Sequence, residues 1–119
     1  DTLITDKGVK SLSGMKSLRL LDLSETQVGD EALRHLRGLT GLEELNLWST
    51  QVTAEGLEHL RGLSNLKRLN LENDQISDSA MMHLPKLTSL ESLNLAGTQI
   101  TDAGAGDLRQ ALPDCGIVR

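Results

Sequence analysis

Few residues of this chain have types that could do chemistry. Three histidines, His35, His59 and His83, stand 24 residues apart, and Asp107 fills the fourth slot. A row of imidazoles suggests a metal, because neutral histidine nitrogen is a common Zn²⁺ ligand. The spacing argues against it. The same period runs through the whole chain, so the three fall on successive packed elements whose axes lie roughly 8–10 Å apart. Tetrahedral zinc needs its donor nitrogens within about 2.1 Å of the ion. A repeated surface position is the reading kept. The single cysteine, Cys115, cannot form an intramolecular disulfide, and no motif places a histidine or aspartate to activate it. It occupies a leucine slot and reads as a small core hydrophobe. Gly104-Ala105-Gly106 opens a helix but lacks the third glycine and the acidic ribose contact of a dinucleotide site. With no nucleophile–base pair, metal spacing or phosphate loop, the chain is expected not to be an enzyme and to need no cofactor and no metal.

A repeat positions these residues. The segments starting at Leu18, Leu42, Leu66 and Leu90 align at 24 residues. Each follows L-x-x-L-x-L-x-x-T-x-[VI]-x-D-x-[AG]-L-x-x-L-x-G-L-x-x, as in Leu42–Asn65, LEELNLWSTQVTAEGLEHLRGLSN. The period changes within each copy. Leu21-x-Leu23 alternates and predicts a short strand, whereas Ala32, Leu33, Leu36 and Leu39 have helical spacing. Asp30, Asp78 and Asp102 are expected at helix N-caps, with Thr53 in that role in the second repeat. Gly38 and Gly62 fit helix ends, and acids precede bases as the helix dipole favours. Pro85 should shorten its helix.

The boundaries read as one domain over 1–119: a partial repeat at 1–17, full repeats at 18–41, 42–65, 66–89 and 90–113, and a partial terminal repeat at 114–119. Thr2, Ile4, Asp6, Gly8, Val9, Leu12 and Met15 carry the second half of the first. One extra residue intrudes near Ala111, after which Cys115 and Val118 take the places of the first two leucines of a fifth repeat. A strand of about three residues cannot stand alone. Stacked in register, such strands form a parallel sheet over a continuous leucine spine, an α/β solenoid.

The LxxLxLxxT pattern in tandem resembles the leucine-rich repeat family over essentially the whole chain. The T-Q-I-T-D-A-G portion resembles its cysteine-containing subtype, although Thr26, Thr50, Asp74 and Thr98 stand where that subtype has cysteine. Similar threonine-type repeats occur in bacterial proteins. The resemblance implies a right-handed curved solenoid, with strands on the concave face, helices on the convex face, and partners bound mostly through the concave sheet.

Comparing the four copies column by column separates what stacking needs from what is free to vary. If Leu21 and Leu23 point inward, the flanking positions point outward. One outward column holds Leu20, Glu44, Arg68 and Ser92; the next holds Asp22, Asn46, Asn70 and Asn94; the third holds Ser24, Trp48, Glu72 and Ala96. The near-uniform asparagine column reads as an amide ladder along the stack, and the uniform Gln27, Gln51, Gln75 and Gln99 column as structural too. The outer two columns vary and contain opposite charges and the only aromatic residue, Trp48. Tryptophan is enriched at interface hot spots. Trp48 with Glu44, Arg68 and Glu72 forms the centre of the candidate partner-binding face, together with Leu20, Asp22, Asn46 and Asn70. The competing reading is that the indole folds over the ladder and covers its own neighbours.

Net charge is −5, from 17 acidic and 12 basic residues. That balance argues against nucleic acid or an anionic membrane as the main partner. No apolar run approaches the roughly 18 residues of a membrane span, and no leader pattern is visible. The chain starts at Asp1 and reads as a processed or excised piece. A lone cysteine is compatible with a reducing cytoplasm, and the compartment stays open. The function expected is a non-catalytic module binding a protein or peptide on the concave sheet. The alternative is a structural, self-associating segment of a longer repeat protein, joined end to end through its exposed repeat edges.

Overall fold

The structure, a computed structural model, describes residues 5–119. Thr2 and Ile4, assigned above to the first partial repeat, lie outside the described residues. Five short strands pair in parallel in chain order: β1 (Leu20–Asp22), β2 (Glu44–Asn46), β3 (Arg68–Asn70), β4 (Ser92–Asn94) and β5 (Gly116–Val118). Each residue faces its equivalent one repeat on, so Leu21, Leu45, Leu69, Leu93 and Ile117 form one row across the sheet. A second row of isolated parallel bridges runs along the turn side, through Gly29–Gln51, Thr53–Gln75 and Ser77–Gln99.

The spine follows from the pattern. Leu23, Leu47, Leu71 and Leu95 are fully buried, as are Val28, Val52, Ile76 and Ile100 behind them. The convex layer consists of α1 (Asp6–Lys10), α2 (Asp30–Leu36), a 3-10 segment over Ala54–Leu60, two more over Asp78–Met82 and Leu84–Lys86, and α3 (Asp102–Ala111). The second and third repeats thus carry 3-10 turns in place of the helices expected. In the third, the break falls at His83, just before Pro85, which cannot continue an i→i−4 ladder.

The register at the C-terminal end differs from the sequence reading. The extra residue near Ala111 is real: Leu112, not Ala111, is buried, and Cys115 enters the core. The shift is then lost before the strand. Ile117 pairs with Leu93, and Val118 pairs with Asn94 and is 55% exposed. Val118 is therefore not a spine residue. The extra residue falls with α3, at ten residues the longest convex element, and it is cancelled after Cys115: Ile117 follows Cys115 by two positions where Leu93 follows Leu90 by three. Met15, in the slot of Leu39, is 49% exposed and is not core either.

The aspartates do not cap their own helices. Gly29, Thr53, Ser77 and Thr101 hold the N-cap positions, and only Thr101 accepts a helix N–H, that of Gly104. Asp30 instead reaches across the stack. Its Oδ1 accepts the Thr53 N–H at 2.7 Å and its Oδ2 accepts the Thr53 hydroxyl at 2.5 Å. Asp78 holds Thr101 in the same two-point way, and Asp6 accepts the Gly29 N–H at 2.7 Å. The adjacent repeat offers donors within reach of a short carboxylate, and charge-assisted hydrogen bonds are the strong ones. The clamp also explains two glycines. A methyl group on Gly56 or Gly104 would collide with the carboxylate of Asp30 or Asp78. In the third repeat Ala80 is tolerated, because the preceding clamp residue is Ala54 and has no carboxylate.

Candidate interaction face on the concave sheet

The alternation of β1 to β4 turns the expected outward columns to one side of the sheet. There they border an open groove of about 540 Å³. Its lining includes Leu20, Glu44, Arg68 and Ser92 from the first column, and Asp22, Asn46, Asn70 and Asn94 from the second. The groove thus unites six of the eight expected site residues: Leu20, Asp22, Glu44, Asn46, Arg68 and Asn70. Trp48 and Glu72 lie one column further along and do not line it.

Arg68 Nη1 pairs with Glu44 Oε1 at 3.1 Å across the β2–β3 border. Both side chains are substantially exposed, so the pair contributes little stability and can exchange partners. Leu20 is 61% exposed at one end of the groove. The face therefore offers an apolar end, a paired charge in the middle, and amides beside it.

Those amides do not form the expected ladder. Each side-chain oxygen instead accepts the N–H two residues on in its own repeat: Trp48 to Asn46 at 3.0 Å, Glu72 to Asn70 at 2.9 Å and Ala96 to Asn94 at 3.0 Å. Asp22 does the same for Ser24. This is the local Asx turn that asparagine and aspartate favour, and it satisfies the chain as it leaves the strand. Only the acceptor oxygen is used, which is why aspartate serves as well as asparagine. The Ser24 hydroxyl and N–H hold the Asp22 carboxyl below its usual range. With the oxygens turned inward, the amide N–H₂ groups are the outward donors; that of Asn94 reaches Glu72 Oε2 at 3.4 Å.

The turns that follow place Glu25, Ser49, Asn73 and Gly97 in the left-handed region, at φ 55°, 53°, 62° and 72°. Only asparagine and glycine adopt it readily. The column was invisible in sequence because two of its members are ordinary residues. Trp48, just before Ser49, is half-buried and outside the apolar core. Its ring N–H is covered by protein without an acceptor. The nitrogen edge of the indole thus lies against its own molecule, while the residue as a whole stays partly exposed.

Sequence reasoning noted Asp74 only as a departure from the threonine column. It is 1% exposed. Thr26 and Thr98 each donate their hydroxyl to a carbonyl of their own repeat, Leu23 and Leu95, at 2.6 Å. Thr50 turns away from that pattern toward Asp74. Asp74 Oδ1 takes the Thr50 N–H and hydroxyl, while its Oδ2 is buried with no partner. Burial pushes the Asp74 carboxyl up to about 7, against the opposing pull of Thr50.

The histidines lie on the convex side. His59 Nδ1 sits 2.6 Å from Arg37 Nη2, and His83 Nδ1 is buried without a partner. Among the described residues no cluster of His, Cys, Asp or Glu is arranged to hold a metal ion. Cys115 is buried, and burial raises its thiol pKa, which disfavours the reactive thiolate. Among the described residues no helix is long and apolar enough to cross a membrane.

A parallel sheet on one side, short helical turns on the other and a leucine spine between them define a repeat solenoid. The leucine rich repeat family model matches residues 40–100, and a second model of the same description matches residues 14–36. The chain belongs to the leucine-rich repeat family. Its fold is similar to that of internalin C2 from Listeria monocytogenes, at 31% identity and TM-score 0.73 over 92% of this chain and 44% of that one. An internalin, inlF, from the same organism matches at 27% identity and TM-score 0.76, over 92% and 30%. TLR13, solved in complex with ssRNA13, matches at 29% identity and TM-score 0.65, over 88% and 15%. The chain thus spans less than half the length of each of these proteins. No curated protein matches the sequence. Leucine-rich repeats commonly serve as protein–protein interaction modules and typically carry no catalytic machinery of their own.

Proposed function

We propose that the chain is a non-catalytic module that binds a protein or peptide partner in its concave groove. The observation that carries this reading is the open groove of about 540 Å³, whose lining combines exposed Leu20 with the exchangeable Glu44–Arg68 pair. Solenoids characteristically use their extended concave surfaces for binding. Leu20 supplies apolar contact, Arg68 and Glu44 supply charge complementarity, and the outward amides of Asn46 and Asn70 supply donors to a backbone or polar side chain. Trp48 and Glu72 form the rim beyond the strand ends. A protein partner is favoured over nucleic acid, because the net charge is −5 and the groove lining holds a single cation, Arg68, beside the acidic Asp22 and Glu44.

The test is affinity capture with three baits: wild type, Arg68→Glu in the groove and Arg37→Glu on the convex side. A partner retained by wild type and Arg37→Glu but lost with Arg68→Glu supports the groove. Loss with Arg37→Glu and retention with Arg68→Glu overturns it and moves binding to the convex face.

A further inference from the structure

We propose that the junction between the second and third repeats is a proton-operated seam, closed when the Asp74 carboxyl is neutral and loosened when it ionises. The proposal does not rest on the groove's having a partner.

Two structural features single out this junction. The first is Asp74 itself. The equivalent positions hold threonines, and only here does a carboxylate cross from one repeat to the next in that column, on to Thr50. Its Oδ2 is enclosed with no donor. An ionised oxygen so placed is an uncompensated buried charge, whereas a neutral carboxyl is tolerated. The second is the missing clamp. Asp30 and Asp78 fasten Thr53 and Thr101 across their junctions at two points each. Ala54 has no oxygen to give Ser77, whose hydroxyl pairs with Ser79 instead. The junction with the buried acid is therefore also one that lacks the compensating carboxylate bridge.

The surroundings offer no rescue for the charge. In its column the neighbour on the far side is Thr98, whose hydroxyl is spent on Leu95. Along its own repeat, Glu72 contacts Asn94 and Asp78 holds Thr101. On the second repeat, Glu44 is paired with Arg68, and Glu55, Glu58 and Arg61 are exposed on the convex segment. Only burial and Thr50 act on the carboxyl; no cation does. The seam also runs through the groove, since Glu44 and Arg68 lie on its two sides. Loosening it alters the concave face at its centre.

Backbone amide hydrogen exchange tests this, because the seam and the junctions on either side of it, three in all, carry matched amides. Leu47 and Ser49 donate across the seam to Asn70 and Glu72. Leu23 and Glu25 do so across the preceding junction, and Leu71 and Asn73 across the following one. Exchange is measured at about pH 5.5 and about pH 8, corrected for intrinsic rates. The expected result is that protection of Leu47 and Ser49 falls at least about tenfold relative to both matched pairs at the higher pH. In Asp74→Thr, which restores the residue that three other repeats carry at this position, the difference disappears. An equal change at all three junctions, or a seam-specific change that persists in Asp74→Thr, overturns the proposal.

Discussion

Asp74 accepts two hydrogen bonds from Thr50, one repeat away, through a single oxygen: the N–H at 2.8 Å and the hydroxyl at 3.2 Å. The other oxygen is buried and unpartnered. A consensus threonine has been replaced by a group that binds its neighbour well but is costly to ionise.

The consequence for stability has a definite sign. The folded-state carboxyl titrates at about 7, well above the ordinary aspartate value of the unfolded chain. Between these two values the folded state holds a proton that the unfolded state has released. Asp74's contribution is therefore fully present below about pH 4 and is lost as pH rises through about 7. The loss is on the order of 2–4 kcal/mol. Urea unfolding of wild type and Asp74→Thr between those limits measures it. The variant should be the more stable at about pH 8, with a flatter profile. Parallel profiles would show that Asp74 is not the titrating group.

Asp30 and Gly56 should behave as a coupled pair. A methyl on Gly56 must displace the carboxylate that holds Thr53, so Gly56→Ala is expected to cost about 1–3 kcal/mol despite alanine's better helix propensity. In an Asp30→Ala background the same change should cost less, because the two closest atoms, Oδ1 and Cγ of Asp30, are gone and only its Cα, at 3.1 Å, still crowds the methyl. Thermal melts of the four proteins give the coupling, expected at roughly 0.5–3 kcal/mol. Strict additivity would mean that the carboxylate simply swings aside.

Leu47 and Trp48 are neighbours with opposite roles. Leu47 is fully buried in the spine, and Leu47→Ala should cost about 2–5 kcal/mol. Trp48 lies outside that core, so Trp48→Ala should cost less. Trp48→Phe keeps ring contact and removes the covered N–H that has no acceptor, and is expected to be neutral or slightly stabilising. A clear drop in melting temperature for Trp48→Phe would reveal a partner for the indole.

The asparagine column should tolerate aspartate and reject an apolar residue of similar size. Asn46→Asp keeps the acceptor for the Trp48 N–H, as Asp22 does for Ser24 in the first repeat. Asn46→Leu removes it and is expected to cost about 1 kcal/mol or more. Chemical denaturation distinguishes this local turn from a ladder along the stack, in which donor and acceptor would both matter and aspartate would fail as well.

Much of this molecule is legible in its residues. Leucines at fixed positions in each repeat, alternating and then helically spaced, can bury themselves only by stacking, and that requirement determined the sheet, its parallel order and the outward columns bearing Leu20, Glu44 and Arg68. Burial of identical side chains is a property that a pattern can carry. What the pattern could not carry is where a polar atom finds its partner. Asp30 fits an N-cap in sequence, yet in space the next repeat's Thr53 is the better-placed donor. Asn46 could have bonded along the stack, yet the nearer N–H belongs to Trp48 in its own turn. Asp74 looked like a tolerated departure until the surrounding repeats closed over it. Val118 counted as a spine residue until the short step from Cys115 to Ile117 cancelled the insertion and returned the register to Ile117. Hydrogen bonds and charges act over a few ångströms between residues distant in sequence, so only the packed stack decided which oxygen meets which N–H and which carboxyl loses its water.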